Sequence, residues 1–163
     1  DSHSPKDCVV LCDASRSMKL KKTNARVRVV WELTGLLAAY QGVPAYFIRD
    51  RAERVKETSS LREIAREFGS YGAYNPTSLS RGLDEAWKHH PRFIFLVTDG
   101  QSNIPYRGHE KLVAEKMRCT IVTLNPTVNP LEPEAATRIG TSNEVFLPLR
   151  DLRFLSNVLK VIL

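Results

Sequence analysis

Apolar positions along the chain follow two alternating patterns, short continuous runs and longer stretches with a helical repeat. Continuous runs of about four to eight apolar residues are typical of strands that are covered on both faces of a sheet. Apolar residues that recur every three or four positions are typical of helices that bury one side. The runs predict strands at 8–13, 45–48, 93–97, 119–124 and 145–147, with 54–57 as a short polar edge strand.

Six helices are expected between and after these runs. The first continues to about Tyr40 and ends at Gly42, because glycine readily adopts the backbone conformation that terminates a helix. The helix near the middle of the second half carries Leu112, Val113 and Lys116. The remaining boundaries that we expect are 60–68, 78–89, 109–117, 134–139 and 151–162.

This alternation predicts an α/β fold, a parallel sheet with helices on both faces. The chain has 163 residues, which is the size of one domain, so we expect a single domain over 1–163 with residues 1–6 as a flexible lead. No run of eighteen apolar residues occurs, and the polar start carries no signal peptide, so no membrane segment is predicted. Ligands of such sheets bind beyond the carboxyl ends of the strands, where the strand order reverses.

The three cysteines all fall in predicted strands, and we expect buried, reduced thiols at Cys8, Cys12 and Cys119. They do not form a set of four closely spaced ligands, as a structural zinc site requires. The Asn-Pro-Thr triplets at Asn75 and Asn125 are not glycosylation sites, because proline blocks the acceptor sequence. Together these points favour a cytoplasmic location.

The net charge of +6 is unevenly distributed, because no acidic residue occurs between Asp13 and Glu32. Such a basic segment is either a solvated helix face or a surface for an acidic protein or a phosphate backbone. Its cations are Arg16, Lys19, Lys21, Lys22, Arg26 and Arg28.

Oxygen-bearing side chains stand at the ends of two predicted strands. Asp13 ends the first strand and is followed by Ser15 and Ser17, Asp99 ends another strand, and Thr77 precedes a helix. Hard oxygen donors suit Mg²⁺, Mn²⁺ or Ca²⁺ and not zinc. Taken singly, each has another explanation, since serine and threonine cap helices and Asp-Gly forms turns.

Three short sequence elements contain these residues, and their order and spacing resemble the metal-ion-dependent adhesion site of the von Willebrand factor A family. They are Asp13-Ala-Ser-Arg-Ser17, then Thr77, then Thr98-Asp99-Gly100, and the alternation of elements extends the resemblance from about Lys6 to Leu163. The resemblance implies a three-layer α/β/α Rossmann-like fold. Its six-stranded sheet is mostly parallel with one antiparallel edge strand, and the first and fourth main strands are neighbours.

The resemblance also implies a mode of action. Ser15, Ser17 and Thr77 would bind the metal, Mg²⁺ or alternatively Mn²⁺ or Ca²⁺, directly. Asp13 and Asp99 would bind it directly or through water, and a carboxylate from a partner protein would complete the coordination.

Arg16 departs from the family, whose members commonly have glycine between the two serines. A guanidinium there either lowers the affinity for the metal or binds the partner's carboxylate. A finer resemblance, to the tail of members that work with AAA+ ATPases, rests on Thr123-Leu-Asn-Pro126, Val145-Phe-Leu-Pro148 and Asp151-Leu152.

An enzymatic function is not expected. The sequence has no Gly-x-Ser-x-Gly motif, no phosphate-binding Walker loop and no histidine with the partners of a triad, and we expect His89 and His90 to be exposed. Asp13 and Asp99 around Mg²⁺ suit a phosphoryl hydrolase, but Asp13-Ala-Ser15 lacks a second carboxylate. Nucleic-acid binding through the basic segment is a further alternative, although no aromatic residue interleaves with its charges before Trp31.

Overall fold

The computed structural model describes residues 7–14, 42–56, 60, 62–63, 66, 77–98, 102, 104–125 and 138–148. Its strands are β1 (Cys8–Asp13), β2 (Ala45–Ile48), β3 (Ala52–Arg54), β4 (Phe93–Val97), β5 (Thr120–Asn125) and β6 (Glu144–Pro148), and its helices are α1 (Leu79–Trp87) and α2 (His109–Glu115). Residues 62, 63 and 66 are also helical, within the predicted helix at 60–68. The predicted helices before Gly42 and at 151–162 lie outside the described residues. Most of the helix predicted at 134–139 does too, and residues 138 and 139 are not helical.

The strands form one sheet in the order β3-β2-β1-β4-β5-β6. Every pair is parallel except β2 with the edge strand β3. This confirms the predicted α/β Rossmann-like sheet with one antiparallel edge. From β1 the chain builds outward on one side through β2 and on the other through β4, so the strand order reverses beside β1. The carboxyl ends of β1 and β4 therefore meet where such sheets bind ligands.

The central strands form the core of the sheet because their residues are apolar on both faces. All six residues of β1 are buried, as are the last four of β4. The three cysteines are buried as expected, and none is in a disulfide. Burial raises the pKa of the Cys8 and Cys119 thiols to about 11, with Asp7 contributing at Cys8, so both are protonated at neutral pH.

Helix α1 lies unusually close to the end of β2. A Cβ atom added at Gly82 would be 2.4 Å from Cδ1 of Ile48, well inside van der Waals contact. The absence of a side chain thus lets the helix approach the sheet, while Leu79, Leu83 and Ala86 fill the space along its buried side. This close contact places the first turn of α1 over the carboxyl ends of β1 and β2.

Two details differ from the sequence pattern. The edge strand occupies 52–54 instead of 54–57, because the turn after β2 is short: the amide of Arg49 donates to the carbonyl of Arg51, and Ala52 already pairs with Ile48. In α2 the buried positions are Glu110, Ala114 and, just beyond the helix, Met117. Leu112 therefore lies on the outer side of α2, although its apolar side chain indicates burial.

No helix among the described residues is long and apolar enough to cross a membrane.

We expect Gly82→Ala to lower the free energy of unfolding by about 1–3 kcal/mol, because the new methyl group overpacks against Ile48. At an exposed helix position the same change raises stability by up to about 1 kcal/mol. Denaturant titration measures the effect, with Asp84→Ala on the exposed side of the same helix as a control that changes stability by less than about 0.5 kcal/mol. Ile48→Val removes the contacting Cδ1 atom, so Gly82→Ala should cost less in that background. An equal cost in both backgrounds would contradict the proposed contact.

Candidate metal centre

Asp13 is the last residue of β1 and its side chain is fully buried. The strand is held in place on both sides at this point. Asp13 is in register with Ile48 of β2, the next amide, of Ala14, donates to the Ile48 carbonyl over 2.9 Å, and Cys12 pairs with Val97 of β4. The carboxylate is thus fixed at the carboxyl end of the sheet, where the strand order reverses.

Two threonine hydroxyls donate to the two oxygens of this carboxylate. Thr77 Oγ1 lies 3.3 Å from Asp13 Oδ1, and Thr98 Oγ1 lies 2.6 Å from Asp13 Oδ2. The first contact joins residues 64 positions apart and the second joins residues 85 apart. The contact with Thr98 is in the short range typical of a hydroxyl that donates to an ionised carboxylate. Folding therefore brings together two of the five predicted site residues, Asp13 and Thr77.

Thr77 is not the capping residue of α1. That position belongs to Ser78, whose side-chain oxygen accepts from the amide of Arg81 at 3.4 Å. The Thr77 hydroxyl, one residue earlier, is directed instead at Asp13. Helix capping, the alternative explanation for a threonine at this position, therefore does not account for Thr77.

The first turn of α1 is held from two sides. On one side the amide of Ser78 donates to the carbonyl of Arg49, in the turn after β2, over 2.6 Å. On the other side Ser102 follows β4. Its hydroxyl donates to the Thr77 carbonyl at 2.9 Å and accepts from the amide of Leu79 at 3.2 Å. These bonds fix the backbone of Thr77, and so its hydroxyl, relative to Asp13.

A further bond extends this second side toward α2. The Ser78 hydroxyl donates to the carbonyl of Ile104 at 3.1 Å. The segment between β4 and α2 therefore passes directly beside the candidate site.

The sequence analysis missed Ser102 and gave Thr98 no role of its own. Thr98 was visible only as the residue before Asp99, and Ser102 only as a hydroxyl three positions after it. The other predicted site residues, Ser15, Ser17 and Asp99, lie outside the described residues, as does Arg16. Within the described part of the chain, no three or more His, Cys, Asp or Glu side chains cluster in a way that could hold a metal.

Two histidines follow the carboxyl end of α1, the end opposite to the candidate site. His89 and His90 are exposed, as expected, and His89 Nε2 is 2.7 Å from the hydroxyl of Tyr46. Partial burial, and then the charge of Arg54, lower the pKa of His89.

We expect Thr98→Val to destabilise the metal-free domain more than Thr77→Val. Its hydrogen bond is much the shorter, and the loss of a bond to a charged group costs about 1.5–3 kcal/mol. Thr98→Ser keeps the hydroxyl and should lose less than Thr98→Val. Denaturant titrations in EDTA measure all three, and a larger cost for Thr77→Val would show that the two contacts are ranked incorrectly.

Comparison with known proteins supports the fold. The structure is similar to that of the conserved hypothetical protein BatB from Bacteroides thetaiotaomicron, with a TM-score of 0.59 and 11% sequence identity over 95% of this chain and 96% of that chain. At this identity the likeness concerns the fold alone. No protein-family model and no curated protein matches the sequence. The strand order and the antiparallel edge agree with the sheet that the resemblance to the von Willebrand factor A family implies, and the likeness to BatB supports the same α/β fold.

Proposed function

We propose that this domain binds a divalent cation, Mg²⁺ or alternatively Mn²⁺ or Ca²⁺, and through it a carboxylate of a partner protein. Asp13 and Thr77 would hold the ion together with Ser15, Ser17 and Asp99. The domain acts in this proposal as a binding module and not as an enzyme. The observed fold supports the proposal because it agrees with the fold that the resemblance of these residues to a metal-ion-dependent adhesion site implies.

The observation that carries the proposal is the approach of the Thr77 hydroxyl to the Asp13 carboxylate at 3.3 Å. Because Ser78 caps α1, the helix does not need the Thr77 hydroxyl. A buried carboxylate and a hydroxyl from a separate element, both held by the backbone, are the donor types that Mg²⁺ and Ca²⁺ prefer. The pair also lies at the reversal of strand order, where ligands of such sheets bind.

Thr98 has a supporting role in this proposal. By donating to Asp13 Oδ2 it holds one carboxylate oxygen and leaves Oδ1 toward Thr77. A group that binds a ligand residue in this way orients it without itself touching the ion. We therefore treat Thr98 as a positioning residue and Asp13 and Thr77 as ligands.

Partner binding follows from the charge of such a site. A bound ion supplies positive charge that an incoming carboxylate neutralises, and the three predicted hydroxyl ligands contribute no negative charge of their own. In this proposal Arg16, between the two serines in the sequence, would contact the same carboxylate. The resemblance at 123–126 and 145–148 makes an AAA+ ATPase complex our candidate for the assembly in which the domain serves as an adaptor.

The two alternatives gain no specific support from the described residues. A phosphoryl hydrolase requires a nucleophile or a positioned base beside the metal, and Asp13-Ala-Ser15 lacks a second carboxylate in the sequence. Nucleic-acid binding was suggested by the basic segment at 16–28, which lies outside the described residues.

Calorimetric titration with Mg²⁺ or Mn²⁺ tests the site directly. We expect one ion to bind to the wild-type domain and none to Asp13→Ala at millimolar concentrations. Thr98→Val should weaken binding by about tenfold, as is typical for a residue behind a ligand, and Thr77→Val by more, because it removes a ligand. Thr120→Val, at the opposite end of the sheet, is the matched control and should bind normally.

The order of these effects is informative, because it is the reverse of the order expected for metal-free stability. If the two threonines only maintained the fold, stability and metal binding would rank the two substitutions in the same order. Absence of binding to the wild type, or undiminished binding to Asp13→Ala, would disprove the metal site.

Capture of partners from native lysate in Mg²⁺ or in EDTA tests the carboxylate contact. We expect at least one protein to be retained by the wild type only in Mg²⁺, and not by Asp13→Ala. Arg16→Gly should bind Mg²⁺ modestly more tightly, because a cation beside the ion is removed, yet retain less partner, because a charged hydrogen bond worth about 1.5–3 kcal/mol is lost. If Arg16→Gly changes neither affinity, or raises both, Arg16 does not contact the partner.

A further inference from the structure

Two large apolar side chains are exposed on α2 and just before it. Tyr106, just before the helix, is 53% exposed, and Leu112 on its outer side is 49% exposed. The buried positions of this segment are Glu110, Ala114 and Met117, and Leu112 is not part of the core that the described residues form. Single exposed apolar residues are ordinary on protein surfaces, whereas exposed apolar residues that occur together can indicate an interaction site.

The same segment of the chain carries four cations. They are Arg107, Lys111, Lys116 and Arg118, all exposed, and none of them takes part in an ion pair with another described residue. The one exposed acid of the segment is Glu115, since Glu110 is buried. The exposed charge of 106–118, with histidine neutral, is therefore four positive against one negative. We call Tyr106, Arg107, Lys111, Leu112, Lys116 and Arg118 the α2 surface.

The α2 surface begins beside the candidate metal centre. The carbonyl of Ile104, two residues before Tyr106, accepts from the hydroxyl of Ser78, which adjoins Thr77. Two residues of chain span at most about 7 Å, so the backbone of Tyr106 is close to the carboxyl end of the sheet. From there α2 leads back to the start of β5. The rest of the α2 surface therefore extends away from the carboxyl end of the sheet.

We propose that the α2 surface binds an acidic protein segment that also carries apolar side chains. Its four exposed cations against one exposed acid favour an acidic partner by charge complementarity. Leu112 and Tyr106 favour a partner with apolar side chains, since burial of an exposed leucine stabilises a complex only against another apolar group. A single-stranded nucleic acid would use the cations and stack on Tyr106, but it offers no comparable contact for an aliphatic side chain among them. This binding does not depend on the metal.

Fluorescence anisotropy with two labelled helical peptides tests the proposal, in EDTA and at low ionic strength. One peptide combines Glu with Leu at helical spacing, and the other has Ala in place of every Leu. We expect the Glu/Leu peptide to bind at least about fivefold more tightly, because only it fills the space around Leu112. Leu112→Ser should remove this difference. Because Leu112 is exposed, the substitution should leave stability nearly unchanged.

Charge reversal separates this surface from a general effect of positive charge. Lys111→Glu should weaken the binding of both peptides by about tenfold. Lys56→Glu makes the same change at an exposed lysine beside the opposite edge of the sheet and should have little effect. The proposal fails if neither peptide binds, if Lys56→Glu weakens binding as much as Lys111→Glu, or if Leu112→Ser leaves the peptide difference intact.

Labelled oligothymidine provides the remaining arm of the test. Binding tighter than that of both peptides, and unaffected by Leu112→Ser, would assign the α2 surface to nucleic acid and overturn the proposal. The same titrations with Asp13→Ala should match the wild type. The metal centre can therefore fail its own test without affecting this one, and the reverse also holds.

Discussion

The carboxylate of Asp13 is buried at the end of the central strand, and the surrounding structure is arranged around the hydrogen bonds that it accepts. A buried charge without such bonds costs several kcal/mol, so its donors are a condition of the fold. One donor stands at the start of α1 and the other at the end of β4. The hydrogen bonds of the carboxylate thus join three separate parts of the chain at the edge of the core.

The geometry of this site depends on the contacts that position α1. Gly82 lets the helix approach Ile48, the amide of Ser78 bonds to the turn after β2, and Ser102 spans the first turn from the other side. On the side of the helix, these contacts are made by backbone atoms and by a glycine without a side chain, whose positions vary little. Functional groups are best oriented by rigid elements, and the Thr77 hydroxyl is oriented in this way. A substitution at Gly82, remote from any ligand, is therefore expected to affect the site through the helix.

The sequence was sufficient for the features that depend on long apolar runs. The central strands, the parallel order and the placement of Asp13 and Thr77 at one edge follow from continuous burial and from general rules of sheet topology. The edge strand was predicted at the wrong residues because 52–54 is polar enough to resemble a loop. Its register depends on backbone bonds, such as that from Arg49 to Arg51, which a sequence pattern does not contain. The exposure of Leu112 could not be predicted, because hydrophobicity does not reveal which side of a short helix faces the sheet. Ser102 was missed because its role depends on backbone groups that a sequence pattern does not contain.

The shortness of β3 has a consequence for how this domain can associate. Sheet edges with long unpaired backbones invite strands from other chains, which leads to β-augmentation or to aggregation. Here the edge has three residues, and Glu53 within it forms ion pairs with Arg49 and Arg51 of the preceding turn. A charged edge of this length offers little backbone to an incoming strand. A partner on this side of the molecule would therefore have to contact side chains at the ends of strands and on helices, where a point substitution can change binding without opening the sheet.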